Sequence, residues 1–326
     1  MLFIASHCNH APFNIASEEY ILNNISEDVF LLYRNAPSII VGRHQNTLAE
    51  INQEYVREHF IPVVRRLTGG GTVFHDLGNL NYCFIMRKNV GEEKGFAKYT
   101  APVIAALRDL GVEARLEGRN DLTIKGMKFS GNARAVYKDK IQQHGTILFS
   151  SRIADLSAAL KANPLKFTGK AVKSISSRVT NVSEHLKHPI GLEEFILFIQ
   201  KKVLELYPDA REYAFSPEEE AAIHRLVESK YGTWKWNFGK SPKYNHYKAI
   251  RTSAGTIEMH TDVHKGIITS IRIFGDFFGS RDISELEDVL KGVPHRKDDL
   301  LKVLQKQPLD EFFGEITPEE ILSGLL

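Results

Sequence analysis

The chain has 326 residues, of which 43% are hydrophobic and 25% are charged, so it can bury a proper core and wholesale disorder is excluded. Its 42 Lys and Arg residues against 40 Asp and Glu leave a formal net charge of +2, which is too balanced for a protein that works mainly through a basic field on nucleic acid or membrane. At roughly 150 residues per domain, the length predicts one large domain with a smaller one, or two of medium size.

The predicted elements alternate between short strands and helices over the first two thirds of the chain. Apolar runs of strand length predict strands at Leu2–Ala5, Val29–Tyr33, Ser38–Val41, 122–124, 129–137 and 146–149. Apolar residues at steps of three or four predict helices at 15–22, 52–60, 96–110, 153–160 and 193–207. Gly111 follows the third of these helices as a C-cap, and Ser216 with Pro217 opens a further helix as N-cap and first-turn proline.

A stretch rich in aromatic residues, Gly and Pro interrupts this pattern at residues 234–242 (WKWNFGKSP), which lack helical or strand periodicity. We therefore place a domain boundary near 239–245, which separates a large domain at 1–240 from a small one at 246–326. In the small domain, 256–263 and 266–274 alternate as a hairpin, and amphipathic helices follow at Ile283–Leu290, 298–304 and 318–326. The predicted fold class is α+β: a large domain of mixed sheets and helices with a small α+β C-terminal domain.

The densest chemical signal is the segment RRLTGGGTVFHD at residues 65–76. Three successive glycines allow a backbone path with positive φ that turns N–H groups inward, and the preceding arginine pair adds forked donors for phosphate or carboxylate oxygens. The segment is neither a Walker A loop, since no Gly-Lys-Ser/Thr closes it, nor a Rossmann fingerprint, since Phe74 occupies the sixth position. A glycine-rich hairpin with a solvated arginine pair is the structural alternative.

Three further polar segments lie in the same half of the chain. In GRNDL and KGMKFSGNA, Lys128 sits in a glycine-flanked turn seven residues after Asp121, which suits an ammonium that stabilises charge and a carboxylate that orients it or holds a divalent cation. His144 enters a strand in QQHGT as a ligand donor or a structural histidine. Residues 170–181 (KAVKSISSRVTN) form either a mobile loop that closes over an anion or a plain solvated loop. Together the segments predict a nucleotide or acyl-phosphate site.

The motifs RRLTGGGTVFHDLGN, GRNDL, KGMKFSGNA, HGTILF and SSRVTN, in this order, resemble the lipoate–protein ligase family, and WKWNFGKSP with the small tail resembles its accessory domain. The resemblance spans essentially the whole chain. It implies an enzyme that makes lipoyl-AMP from lipoate and ATP with Mg²⁺, then passes the lipoyl group to a lysine. The implied acceptors are lipoyl domains of 2-oxoacid dehydrogenase acyltransferase subunits and glycine cleavage H protein. We expect a monomer without nucleic-acid or membrane partners.

The resemblance also implies roles for particular residues. Lys128 would contact both the α-phosphate and the lipoyl carbonyl, as the catalytic residue. The implied cofactor-site residues are Arg66, Gly70, Gly71, Thr72, Val73, Phe74, His75, Asp121, Lys128, Ala133, His144, Ser174 and Arg178, with Asp121 also the candidate Mg²⁺ ligand. Tyr33, Gly71 and Lys128 would form the substrate pocket. Tyr33 stands where a known member of the family has Trp at the end of the acyl slot, so octanoate is a second possible acyl group.

Three alternatives remain open at this point. An octanoyl- or lipoyl-transferase of the same fold would need a reactive thiol, and the candidates are Cys83 in an apolar strand and Cys8 beside His7 and His10. A biotin ligase would be expected to carry a Gly-Arg-Gly-Arg type of loop, which is absent. A non-catalytic module that binds lipoate or nucleotide is the third. Two cysteines make no disulfide framework, and the N-terminus does not read as a signal peptide, so we expect a cytoplasmic protein.

Overall fold

The computed structural model describes residues 1–88, 95–160, 179–239, 246–264 and 266–326. Its strands are β1 Leu2–Ala5, β2 Val29–Tyr33, β3 Ser38–Val41, β4 Val63–Arg65, β5 Val73–His75, β6 Asn79–Arg87, β7 Ala114–Glu117, β8 Asp121–Ile124, β9 Met127–Tyr137, β10 Lys140–Leu148, β11 Arg211–Glu212, β12 His246–Thr252, β13 Gly255–His264 and β14 Ile267–Gly275. Its helices are α1 Ala11–Asn24, α2 Thr47–Glu50, α3 Gln53–Glu58, α4 Ala97–Asp109, α5 Ile153–Ala159, α6 Leu192–Leu206, α7 Pro217–Leu226, α8 Trp234–Asn237, α9 Ile283–Leu290, α10 Lys297–Leu304, α11 Leu309–Phe313 and α12 Pro318–Leu325. Among these helices, none combines the length and the apolar character that a membrane span requires.

An eight-stranded mixed sheet forms the body of the protein, in the order β11-β1-β2-β6-β10-β9-β8-β7. In this order, every neighbouring pair from β2 to β7 is antiparallel, whereas β1 pairs in parallel with both β11 and β2. One face carries an apolar core against α4 and α6, with Phe84, Tyr99 and Phe195 at its centre, and a second apolar cluster lies under α1. Because both faces are covered, β2 is buried along its whole length, which explains its continuous apolar sequence.

A second, three-stranded sheet carries the glycine segment. Its order is β4-β3-β5, with β3 parallel to β4 and antiparallel to β5. Residues 66–72 connect the end of β4 to the start of β5. Because β3 lies between these two strands, the glycines span the sheet from one outer strand to the other and do not close a hairpin. This arrangement brings the segment against the polar ends of β9 and β10 in the large sheet.

The C-terminal residues form a separate unit with a core of its own. The antiparallel sheet β12-β13-β14 packs with α9 to α12 around Ile257, Leu286, Leu304, Phe313 and neighbouring apolar side chains. Two capping boxes organise helix starts: the one at Ser216 before α7 confirms the predicted N-cap, and a second one lies at Thr317 before α12.

The α+β fold class is confirmed, and the differences from the predicted elements are local. The stretch 234–242 contains α8, a short helix that begins after Thr233, whose Oγ1 accepts a hydrogen bond from the Trp236 N–H. Strand β10 begins at Lys140, before the predicted 146, because polar residues in its first half are buried by pairing with both neighbouring strands. Residues 240–245, where we predicted most of the boundary, lie outside the described residues.

Arg65 connects three parts of the fold. Its side chain is fully buried, and its guanidinium donates to the carbonyl oxygens of Gly42 at 2.9 Å and Gln45 at 2.7 Å, to Thr47 Oγ1 at 2.6 Å and to the Asn237 carbonyl at 3.2 Å. Burial, with Arg66 next to it, lowers the pKa of Arg65 to about 10. Arg65 therefore ties the chain after β3 and the helix α8 to the small sheet, and it does not face the pocket.

We expect Arg65→Lys to lower the free energy of unfolding by about 3 kcal/mol, because an ammonium cannot satisfy acceptors arranged for a fork of five N–H groups. Urea unfolding measures the change. Arg57→Lys, at an exposed position of α3, is the matched control and should change stability by less than about 0.5 kcal/mol. Equal effects of the two substitutions would contradict the structural role of Arg65.

Candidate active site

A pocket lies between the large sheet and the glycine segment of the small one. Of the residues proposed from the sequence, those that line it are Tyr33, Arg66, Gly70, Gly71, Thr72, Val73, His75, Lys128, Ala133 and His144. Its apolar wall includes Ile15 of α1 and Ile40 of β3. The pocket thus joins an apolar end near α1 to a polar end with two cations, which suits a ligand with an acyl chain and an anionic head group.

Among the described residues, two of those proposed from the sequence do not line this pocket. Phe74 packs in an apolar cluster with Ile39 and is not among the residues that line the pocket. Asp121 reaches the site only through its ion pair with Lys128. Ser174 and Arg178 lie outside the described residues.

The glycine segment has one left-handed residue. Gly70 has φ +86°, whereas Gly69 and Gly71 have ordinary backbone angles, so the expectation of a positive-φ path holds at the middle glycine alone. Gly69 is required for space: a Cβ there would lie 2.2 Å from the carbonyl oxygen of Phe277 in the C-terminal unit. A Cβ on Gly70 would meet the Phe278 ring at 2.9 Å and Arg66 Nη2 at 3.0 Å.

Arg66 holds the glycine segment from inside the pocket. Its Nη2 donates to the carbonyl oxygens of Gly69 at 2.7 Å and Gly71 at 2.8 Å, its Nη1 to the Ile40 carbonyl at 3.2 Å and its Nε to Thr68 Oγ1 at 3.0 Å. Burial lowers the pKa of Arg66 to about 10, against opposing effects of nearby acidic groups. The guanidinium stays charged at neutral pH, and among the described residues one Nη1–H is left for a ligand.

Lys128 is placed by an irregularity in the pairing of β8 with β9. The register shifts between Leu122 and Thr123, which pairs with Lys128, and such a bulge re-aims a side chain relative to a regular strand. The ammonium lies 2.7 Å from Asp121 Oδ1, and both side chains are about 40% exposed, so the pair is weak and can rearrange. A Cβ on Gly131 would lie 3.1 Å from Lys128 Nζ, so this glycine leaves room for the lysine to fold over β9.

His75 is a neutral histidine at the pocket wall. It is 3% exposed, and its Nδ1 lies 2.9 Å from Asn35 Nδ2, whose own Oδ1 accepts from Asn14. Burial lowers the pKa of His75 to about 3, and the neighbouring Arg66 and His144 act in the same direction. The imidazole therefore adds no positive charge to the pocket at neutral pH.

Several residues of the site were not singled out from the sequence. The pocket wall also includes Asn81, Asn120, Asn132 and Thr146, and behind it lie the buried Glu18 and Thr68. Tyr33, predicted at the end of an acyl slot, donates its hydroxyl to Glu18 Oε1 at 2.9 Å. The sequence signal that could have indicated Glu18 is its position among the apolar residues of the first helix.

The cysteines are unsuited to nucleophilic chemistry here. Cys83 is fully buried on β6, and burial, followed by the neighbouring Glu18 carboxylate, raises the pKa of its thiol well above the usual value. Cys8 is half-buried before α1 and accepts a hydrogen bond from the His10 N–H. In the described part of the chain, neither cysteine lines the pocket. The thioester alternative therefore lacks a cysteine at the pocket.

The C-terminal unit contacts the site, although the sequence placed no site residue in it. The Phe278 ring lies over the Arg119 guanidinium, 4.5 Å from its Cζ, and covers Gly70. Arg119 also donates to the Asp276 carbonyl at 3.0 Å, and Arg43 forms a 2.8 Å ion pair with Asp282. The packing of the glycine segment therefore depends on both parts of the chain.

Two family models match this chain. One, described as "Lipoyl protein ligase A/B catalytic domain", matches residues 10–204, and the other, described as "Bacterial lipoate protein ligase C-terminus", matches residues 241–325. A relative from Bacillus subtilis (strain 168), the lipoate-protein ligase LplJ, is 42% identical over 327 residues, and the alignment covers 99% of each chain.

Three solved structures illustrate the shared fold. P. falciparum LipL1, solved in complex with lipoate, has a TM-score of 0.80 and 25% identity, and covers 99% of this chain and 98% of its own. A lipoate-protein ligase A bound with ATP has a TM-score of 0.62 and 26% identity over 73% of this chain and 98% of its own. A bipartite lipoate protein ligase, reported with its E2 lipoyl domain from Thermoplasma acidophilum, has a TM-score of 0.62 and 28% identity over 75% of this chain and 98% of its own.

The lowered pKa of His75 predicts a pH-dependent stability. His75 binds a proton near pH 6.5 in the unfolded chain but only near pH 3 in the folded chain. The folded state is therefore most stable above pH 6.5 and loses stability as the pH falls toward 3. Between pH 7 and pH 5 we expect His75 to account for a loss of roughly 2 kcal/mol in the free energy of unfolding.

Urea unfolding at the two pH values measures this loss in wild type and in His75→Gln, where it should disappear. His188→Gln, at an exposed histidine, is the control and should keep the wild-type pH dependence. The same pH dependence in His75→Gln as in wild type would show that His75 titrates normally in the folded chain.

Proposed function

The chain belongs to the lipoate–protein ligase family, and on that premise we propose that it activates lipoate with ATP and transfers the lipoyl group to a lysine of an acceptor protein. The observation that carries the proposal is the placement of Arg66, the glycine segment and Lys128 around one pocket that has an apolar end. Lipoate combines a hydrophobic ring and chain with a carboxylate, so it matches both ends of this pocket. The lipoate- and ATP-bound relatives support the same two ligands.

In the first step, a carboxylate oxygen of lipoate attacks the α-phosphorus of ATP and pyrophosphate leaves. Little bond-making is required of the protein, so positioning and stabilisation of negative charge supply most of the acceleration. Arg66 offers its remaining Nη1–H and a fixed positive charge. Lys128 is the adaptable cation, because its exposed ammonium can leave Asp121 for a phosphate oxygen.

In the second step, the acceptor lysine nitrogen attacks the carbonyl carbon of lipoyl-AMP, the amide C–N bond forms, AMP leaves and the amine loses a proton. Negative charge develops on the carbonyl oxygen as the nitrogen attacks. We assign its stabilisation to Lys128, since the acyl carbonyl and the α-phosphate are neighbours in the mixed anhydride. The backbone of Gly71, Thr72 and Val73, together with Ala133, would hold the adenylate, as would Phe74 through its backbone.

Mg²⁺ accompanies ATP in the proposed reaction. Its preferred ligands are oxygens, and it usually keeps several waters and takes one or two carboxylates together with substrate phosphates. Asp121 fits this pattern at the mouth of the site, next to Lys128. When bound, the ion would neutralise charge on the polyphosphate.

The remaining assignments are proposals of the same kind. Residues 1–240 would form the catalytic domain and 246–326 the accessory domain, and Ser174 and Arg178 would be among the residues that bind the adenylate. We propose lipoyl domains of 2-oxoacid dehydrogenase acyltransferase subunits or glycine cleavage H protein as acceptors; the ligase reported with an E2 lipoyl domain supports the first class. The cytoplasm, which supplies ATP, is the proposed compartment.

Lys128→Ala should reduce lipoate-dependent pyrophosphate exchange by about 10²–10³-fold, as for the loss of one strong oxyanion donor. Exchange of labelled pyrophosphate into ATP measures step one, and the mass gain of a purified acceptor domain measures both steps. Lys125→Ala removes the same atoms at an exposed position of the same hairpin and should retain activity. Near-normal exchange in Lys128→Ala would rule out the role assigned to Lys128.

The combined variant Cys8→Ser/Cys83→Ala should keep its ligase activity within about threefold of wild type and remain strictly dependent on ATP. The physical reason is that no step of the proposed reaction uses a thiol, and a buried Cys tolerates replacement by Ala with a modest loss of packing. Loss of transfer in this variant, with the protein still folded, would favour the thioester transferase instead.

A further inference from the structure

Glu18 is a buried carboxylate that the proposed reaction leaves without a role. It lies on α1 and is 2% exposed. Its Oε1 accepts from the Tyr33 hydroxyl at 2.9 Å, and its Oε2 accepts from Gln142 Nε2 at 2.7 Å and faces His144 Nδ1 at 2.9 Å. A buried charge is costly unless it is hydrogen-bonded and paired with an opposite charge. His144 contacts Glu18 directly, and the guanidinium of Arg66 lies further along the same hydrogen-bond chain.

A continuous chain of hydrogen bonds connects Glu18 to Arg66. His144 Nε2 lies 2.7 Å from Thr68 Oγ1, and Thr68 Oγ1 accepts from Arg66 Nε at 3.0 Å. All four side chains are buried. We call this chain the Glu18–Arg66 relay.

The proton positions in the relay follow from the two ends. An ionised carboxylate only accepts and a guanidinium only donates. His144 therefore carries a proton on Nδ1, directed at Glu18. Thr68 Oγ1 accepts from Arg66 Nε and shares a hydrogen bond with His144 Nε2. The relay therefore connects Glu18 to Arg66 through two buried side chains.

Arg66 in turn holds the glycine segment in place. Its Nη2 binds the carbonyl oxygens on both sides of Gly70, those of Gly69 and Gly71. Burial lowers the pKa of Arg66, and the charge of Glu18 works in the opposite direction, so the carboxylate also helps to keep the guanidinium charged.

We propose that Glu18 is a positioning residue of this site: through His144 and Thr68 it fixes the Arg66 guanidinium, and thereby the shape of the glycine segment that receives the nucleotide. The kinetic consequence rests on the proposed function. The relay itself is a property of the folded chain. Glu18 touches no reacting atom, so its removal acts on binding and not on the chemical groups.

Thr68 offers the sharpest test, because the relay predicts that only its hydroxyl matters. Thr68→Val keeps the shape of the side chain and removes its hydrogen bonds to Arg66 and His144. It should raise the KM for ATP in pyrophosphate exchange by about ten- to a hundredfold, because Arg66 Nε then lacks an acceptor. The KM for lipoate should change by less than about threefold, because the apolar end of the pocket is untouched. Thr68→Ser retains the hydroxyl and should restore the KM for ATP to near the wild-type value.

Glu18→Gln should raise the KM for ATP in the same direction as Thr68→Val. Glu19→Gln is its matched control, since Glu19 neighbours Glu18 on α1 and is equally engaged, with Lys230 at 2.8 Å and the Tyr231 hydroxyl, but on the side away from the pocket. It should leave the KM for ATP within about twofold of wild type.

A double-mutant cycle on Glu18→Gln and Thr68→Val completes the test. The relay predicts strongly non-additive effects on kcat/KM and on urea unfolding, because either change breaks the same chain. Additive effects on unfolding, or equal losses in Thr68→Ser and Thr68→Val, would overturn the inference. A wild-type protein without exchange activity would refute the proposed function instead, and the unfolding cycle would still decide the relay.

Discussion

The burial of two consecutive arginines is the constraint from which the rest of the site follows. Arg65 and Arg66 end one short strand and begin the glycine segment, and both guanidinium groups are almost completely shielded from water. Each must find acceptors for its N–H groups inside the protein. Arg65 finds them in the chain after β3 and in α8, on the side away from the pocket. Arg66 finds them in the segment that follows it. The shape of that segment is therefore set by a buried cation before any ligand binds.

The two cations of the pocket differ in freedom, and this difference suits a reaction in two steps. Arg66 is held by four hydrogen bonds and cannot move without breaking them. Lys128 is partly exposed, sits beside a bulge and has one exchangeable partner, Asp121. In the proposed reaction, a fixed charge orients the nucleotide, and a mobile charge follows the negative charge from phosphate to carbonyl oxygen.

The contact between the C-terminal unit and the glycine segment changes how the tail is understood. No residue of the tail carries a recognisable chemical motif, yet Phe277 and Phe278 explain why Gly69 and Gly70 cannot be larger. A glycine run that could be explained by phosphate binding alone is thus also required for packing between two units. The two explanations are compatible, because the pocket lies on one side of this backbone and a neighbouring unit on the other.

The sequence by itself determined the fold class, most helices and strands, the family and the main residues that surround the pocket. These follow from local periodicity, from capping residues such as Ser216 and from ordered motifs, which are properties of neighbouring residues. It did not reveal that Arg65 turns away from the site or that Phe74 packs in the core. Nor did it reveal that a chain of hydrogen bonds through His144 and Thr68 connects Glu18 to Arg66. Those outcomes depend on which side of a strand meets which neighbour, and on charge balance between segments more than 45 residues apart. Only the tertiary structure, where every buried polar group must find its partner, decided them.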